Sequence, residues 1–179
     1  MNILSLDLGT TTGWAFRRDG KLRAGSILLA TEKALAIQRK VRGDRRGDAR
    51  IQALWEFMED TEESVGAFDA LVFEDVRFIR STAQGQLWPS LRTVVWLYGY
   101  MHERVVECLD TGKLKIFATG YGAATKEMMA AALAKGYPEL VTVRTKGTVL
   151  TLIDTDTILD DNAVDATHLL LWAEKILKK

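Results

Sequence analysis

The sequence predicts an α/β fold, with a mixed five-stranded sheet flanked by helices. Three observations carry this expectation. The runs "NILSLDL" and "DALVFEDV" have the length and composition of buried strands. Amphipathic segments of helical period lie between and after them. "GWAFRRDGKLRAGSILL" reads as two strands joined at Asp19-Gly20, a dipeptide suited to a type I′ hairpin turn. A chain of 179 residues, 47% hydrophobic and 27% charged, is long and apolar enough for one domain over residues 1–179 with a sizeable core.

The elements follow in order. Residues 2–8 form the first strand, which ends in "DLGTTTG", and the hairpin occupies residues 13–29. The polar stretch "QRKVRGDRRGDAR" feeds a helix over residues 49–65, with Ile51, Leu54, Trp55 and Met58 at helical spacing. Residues 69–76 are the second buried strand, and the irregular segment "RFIRSTAQGQLW" follows. Pro89 suits the first turn of a long helix that ends near Asp110. "KLKIFA", residues 113–118, reads as a short strand. "TGYGAATKEMMAAALAKGY" is a loop leading into an alanine-rich helix that Gly136 stops. β-branched residues over 141–156 predict a hairpin turning at Lys146-Gly147, and the last helix starts near Asp161.

Composition excludes some classes. The lone Cys108 rules out an intrachain disulfide and a cysteine-based zinc site. No apolar run approaches the roughly 20 residues that span a bilayer. "MNILSLDLG" lacks the basic stretch of a secretory signal, so a cytoplasmic protein without a membrane partner is expected. The net charge is zero, so binding to a polyanion must come from local patches. One such patch holds Arg39, Lys40, Arg42, Arg45, Arg46 and Arg50 against Asp44 and Asp48. Arg77 and Arg80 form another.

The acids need an explanation. With a period of two, Ile3, Ser5 and Asp7 share one face of the first strand, and Ala70, Val72 and Glu74 share one face of the second. Both acids therefore sit at carboxyl ends of buried strands, where open α/β sheets bind ligands. In the last helix Asp165 lies on the stripe of Leu169, Trp172 and Ile176, and Asp161 and Asn162 project nearby. An acid at a strand end is often a turn residue or an arginine's partner, and Asp160 reads best as a simple N-cap. Asp165 resists that reading, because it lies inside the helix on the apolar stripe. Clustered carboxylates repel and raise each other's pKa. A hard divalent cation such as Mg²⁺ resolves the conflict, and two ions about 3.5–4 Å apart serve phosphodiester hydrolysis.

Four segments resemble the RuvC-type Holliday junction resolvases of the ribonuclease H-like fold, particularly their phage-type form. "ILSLDLGTTTGWA" is similar to the family's first strand and turn, with Asp7 at its first catalytic acid. "LVFEDV" is similar to the strand that carries the second acid, Glu74. "DDNAVDATHLLLWA" resembles the last helix, with Asp165 as its acid. "KIFATGYGAATK" resembles the segment whose two lysines lie near the scissile phosphate, here Lys115 and Lys126. Where many members carry an acid or histidine three residues before the last acid, this chain has Asn162, and Asp161 is expected to supply the carboxylate.

The resemblance implies a structure-selective endonuclease that resolves four-way DNA junctions, with paired nicks made by a homodimer. It implies two Mg²⁺ ions per site, with Mn²⁺ as an alternative, held by Asp7, Glu74, Asp161 and Asp165. Lys126 would act in catalysis. Lys115, Lys126, Arg77 and Arg80 would contact DNA, and Phe78 is the candidate for the aromatic wedge at the junction centre. The long helix after Pro89 has more apolar surface than one sheet face needs, which suits a dimer interface. Trp88, Trp96, Tyr98 and Tyr100 are expected to pack rather than stack on bases, and His168 to be structural. The rival readings are a ribonuclease H-like nuclease for another branched or hybrid substrate, a junction binder that does not cut, and a nucleotide-phosphate binder suggested by "DLGTTTG". The last needs a second domain and phosphate loop, which this sequence lacks.

Overall fold

The two apolar runs lie side by side. β1 (Ile3–Asp7) pairs in parallel with β4 (Ala70–Asp75), with Leu6 opposite Phe73. The other edge of β1 takes β2 (Thr11–Arg18), which turns into β3 (Lys21–Leu28), both antiparallel. At the turn Asp19 and Gly20 have φ of 52° and 76°, the left-handed pair that a type I′ turn requires. β5 (Val105–Asp110) joins β4 in parallel, and the order is β3-β2-β1-β4-β5. The mixed five-stranded sheet is therefore as expected. These elements belong to a computed structural model that describes residues 1–41, 47–76, 81–144 and 149–177.

Alternation along the central strands sorts two cores. Ile3, Ala70 and Val72 face α4 (Thr111–Thr119), α5 (Lys126–Gly136) and α6 (Asp161–Leu177). Leu4, Leu6, Leu71 and Phe73 face α2 (Ala49–Val65) and α3 (Thr82–Met101). Burial of strands on both faces explains why they read as continuous apolar runs. In α6 the buried Ala163, Ala166 and Ala173 present small side chains among Leu169 and Leu170. The apolar stripe ends at the partly buried Trp172, whereas Ile176, expected on the same stripe, is exposed.

Between residues 82 and 119 the elements are shifted from expectation. Instead of a helix to Asp110 and a strand over 113–118, α3 ends at Met101, β5 follows, and residues 113–118 lie within α4. Glu103 takes a left-handed φ of 56°, and the Arg104 N–H returns to the Gly99 carbonyl, so the helix is closed off. Val105 and Val106, β-branched, then pair with β4. Asp110 caps α4 by accepting the Gly112 N–H at 2.9 Å. "KLKIFA" alternates like a strand, but its Leu114, Phe117 and Ala118 also fit a helix face, and that face packs on the core. Pro89 lies in the interior of α3 and has no N–H to return to the preceding turn.

Two further pieces lie outside the expected order. α1 (Glu32–Lys40) is capped by Thr31, whose hydroxyl accepts the Ala34 N–H at 3.2 Å. The predicted hairpin is present as β6 (Val141–Arg144) and β7 (Val149–Leu152), and β8 (Ile158–Leu159) makes it a second, three-stranded sheet. The turn at Lys146-Gly147 lies outside the described residues. Val141, Leu150, Leu152 and Leu159 join the core beneath α6. Among the described residues no helix is long and apolar enough to cross a membrane.

Candidate active site

Three neighbouring strands hold the front of α6 against the sheet. On β1, the buried Ser5 hydroxyl lies 2.9 Å from the Ala15 carbonyl and 2.8 Å from that of Ala166. On β2, Gly13 stands opposite Asp7, and a Cβ there would fall 2.0 Å from the Asn162 carbonyl oxygen. Only glycine lets the helix backbone come this close. On β3, the Ser26 hydroxyl donates to Asp160 Oδ1 at 2.6 Å, and the same oxygen accepts the Ala163 N–H at 2.9 Å. Asp160 is therefore the N-cap that its sequence position suggested.

This docking brings Asp165, in the second turn of α6, to the carboxyl ends of β1 and β4. One carboxylate oxygen from each of Asp7, Glu74 and Asp165 lies within 4.8 Å of the others. Burial raises the pKa of all three. Asp7 is pushed well up, first by desolvation and then by the charges of Glu74 and Asp165. Asp165 is pushed up to about 7, by desolvation and then by Glu74. Glu74 rises by desolvation and by the charge of Asp110, opposed by the neighbouring Thr111 hydroxyl, by Lys115 and by its contact with Asp7. The Thr111 hydroxyl lies beside Glu74 without a well-aligned hydrogen bond.

Among the described residues, two cations border the cluster. Lys126, at the start of α5, makes a 2.8 Å ion pair with Asp161, and its charge also reaches Asp7 and Asp165. Asp161 raises the Lys126 pKa, chiefly by that hydrogen bond. Lys115, on α4, favours the charged forms of Glu74 and Asp165.

Of the residues singled out in the sequence, the structure gathers Asp7, Glu74 and Asp165 and sets Lys115 and Lys126 beside them. Asp161 is not in the 4.8 Å group, and its carboxylate faces Lys126. Arg77, Phe78 and Arg80 lie outside the described residues, as do Arg42, Arg45 and Arg46 of the first basic patch. Arg50 of that patch is bound to Asp48 and Thr10. His168 is buried between α6 and α5, with Nε2 2.9 Å from the Met129 carbonyl, a packing role. Sequence reasoning passed over Ser5, Gly13 and Thr111. Ser5 had a signal, since a polar residue on the buried face of Asp7 requires a partner. Tyr98 packs as expected, whereas Trp96 and Tyr100 are exposed.

The strand order and the helices on both faces are those of the ribonuclease H-like fold. No protein-family model matches the sequence, and no curated relative matches it. Solved structures share the fold. RuvC of Thermus thermophilus in complex with a Holliday junction substrate aligns with a TM-score of 0.62 at 15% identity, covering 96% of this chain and 91% of that one. A second Thermus thermophilus RuvC structure gives 0.58 at 14% identity, covering 98% and 96%. Ydc2, the yeast mitochondrial Holliday junction resolvase, gives 0.54 at 12% identity, covering 94% and 75%. The chain thus has the RuvC fold over most of its length.

Proposed function

We propose that this protein is a structure-selective DNA endonuclease that resolves four-way junctions by metal-dependent phosphodiester hydrolysis. The observation that carries the reading is the convergence of Asp7, Glu74 and Asp165 at the strand ends of a RuvC fold. RuvC of similar fold has been captured with a Holliday junction substrate. The donor set fits a hard divalent cation. It is all oxygen, buried and self-repelling, and each acid is held towards its protonated form until positive charge arrives. Two Mg²⁺ ions, or Mn²⁺ in their place, are the proposed occupants. When bound they would supply Lewis acidity at the phosphate and lower the pKa of water.

The chain's own groups do the rest. Asp7 and Glu74 on the sheet and Asp165 on α6 would hold the cations at one point. Lys115 and Lys126 stabilise negative charge growing on the phosphate oxygens. Asp161 keeps the Lys126 ammonium at the rim of the cluster, and its place on α6 one turn before Asp165 makes it the proposed fourth carboxylate of the site. Arg77, Arg80 and Phe78, which follow Glu74 in sequence, are assigned to DNA contact. α3 exposes Trp96, Leu97, Tyr100 and Met101, positions that recur on one side of the helix. A second copy of the chain would cover them, and a twofold dimer would present two sites to a nearly twofold junction. The cytoplasm of a bacterial or phage-infected cell is the compartment this activity implies.

The test is a substrate panel: a labelled four-way junction, a linear duplex, an RNA–DNA hybrid and a flap, each with Mg²⁺ or with chelator. The reading expects nicks in the junction only, at symmetric positions, and none with chelator. Cutting of the hybrid or flap in preference to the junction selects the general nuclease. Tight junction binding without nicks selects the non-cutting binder.

A further inference from the structure

Beside Glu74, on the α3 side of the sheet, is a cavity of about 270 Å³. Glu74 forms part of its wall, so the cavity opens at the same carboxyl end of the sheet as the acid cluster. Leu8, Val76 and Pro89 make an apolar lining, and the half-buried Trp88 adds an indole. At the rim Arg92 donates to Asp75 at 2.7 Å. The Arg92 side chain is half exposed, and a guanidinium carries five N–H donors, so the bond to Asp75 leaves others for a ligand. The volume lies below the ~300–1,000 Å³ of pockets for drug-sized ligands. It suits one flat heterocycle.

We infer that this cavity takes a single unstacked nucleobase next to the phosphate that is cut, with Trp88 as its stacking platform and Arg92 reading its edge. The inference rests on the nuclease reading. At a branch point base stacking is already interrupted, so moving one base out of the stack costs least there. Aromatic stacking accepts any base, whereas arginine donors favour an edge with two acceptors, which guanine presents through O6 and N7. The cavity is therefore a specificity site: stacking decides whether a base is needed, and Arg92 decides which.

The experiment compares nicking rates on junctions that carry each of the four bases, or an abasic nucleotide, on either side of the cut. The wild-type protein is expected to favour a base over the abasic nucleotide at one of these positions by roughly tenfold to hundredfold. Guanine should be fastest. Trp88→Ala should flatten the difference between base and abasic, while Trp88→Phe retains it. Arg92→Ala should keep that difference and lose the preference for guanine. Melting curves confirm that each variant is folded, and the Phe variant separates stacking from a merely structural role. Wild-type nicking that ignores the flanking base overturns this inference alone, as does a folded Trp88→Ala that keeps the discrimination. Absence of nicking on every junction overturns the nuclease reading and this inference with it.

Discussion

Asp165→Asn should stabilise the protein while removing its activity. The pKa of Asp165 is about 7, against an ordinary 3.8, so the folded state favours the protonated acid. The stability from this group is full below about pH 4 and is lost as the pH rises through about 7. At 1.36 kcal/mol per pH unit the interval corresponds to about 4 kcal/mol. Asparagine removes the ionisation and relieves Glu74 and Asp7 of a like charge, but its amide must still be desolvated. About half the figure is then expected at pH 8 in chelator, roughly 2 kcal/mol, or about 4–8 °C in Tm for a domain of this size. Urea unfolding at pH 5 and pH 8 in EDTA measures it. The wild-type protein should lose stability between the two, and the variant should lose less. A divalent cation at a hundred times its Kd should restore about 2.7 kcal/mol to the wild type and much less to the variant. A variant less stable than wild type at pH 8, with the same pH slope, would refute the claim that Asp165 is held against like charge.

Other predictions follow from the same geometry. Gly13→Ala forces the first turn of α6 off the sheet, so it should cost roughly 1–3 kcal/mol in urea unfolding and weaken cation binding in calorimetric titration. The Lys126–Asp161 pair is 66% and 55% exposed, so Lys126→Ala should leave Tm nearly unchanged while junction nicking slows by roughly tenfold to hundredfold. Asp161→Asn frees the Lys126 ammonium. If Asp161 belongs to the cation site, this variant weakens calorimetric cation affinity as well as rate; unchanged affinity leaves it only the role of holding Lys126. Leu97→Glu with Tyr100→Glu places charge on the exposed α3 face, and light scattering should then report a monomer where the wild type gives a dimer.

The acid cluster was legible because local rules place each member. Strict alternation in β1 and β4 assigns Asp7 and Glu74 to one face, and the helical stripe assigns Asp165 to the side that meets it. Both strands are buried on both faces, so a one-residue slip would turn Asp7 and Glu74 into the leucine-rich core under α2 and α3, where a carboxylate has no partner. The segment after α3 had no such protection. β5 is an edge strand with several exposed residues, and "KLKIFA" satisfies a strand and a helix equally; a left-handed Glu103 and the Asp110 cap decide between them. The partner of Asp161 was illegible for another reason, since Lys126 reaches it only through the packing of α5 against α6. Asn162 looked like a departure in the metal site, but its backbone lies on Gly13, a close approach that residue type alone does not announce.

Diffraction from crystals soaked in Mn²⁺, recorded at the manganese absorption edge, puts the shared role of residues 7, 74 and 165 to the most direct trial. Anomalous density in contact with all three carboxylates is the predicted result. Saturating Mn²⁺ with no density between them, or density only elsewhere on the molecule, would contradict it.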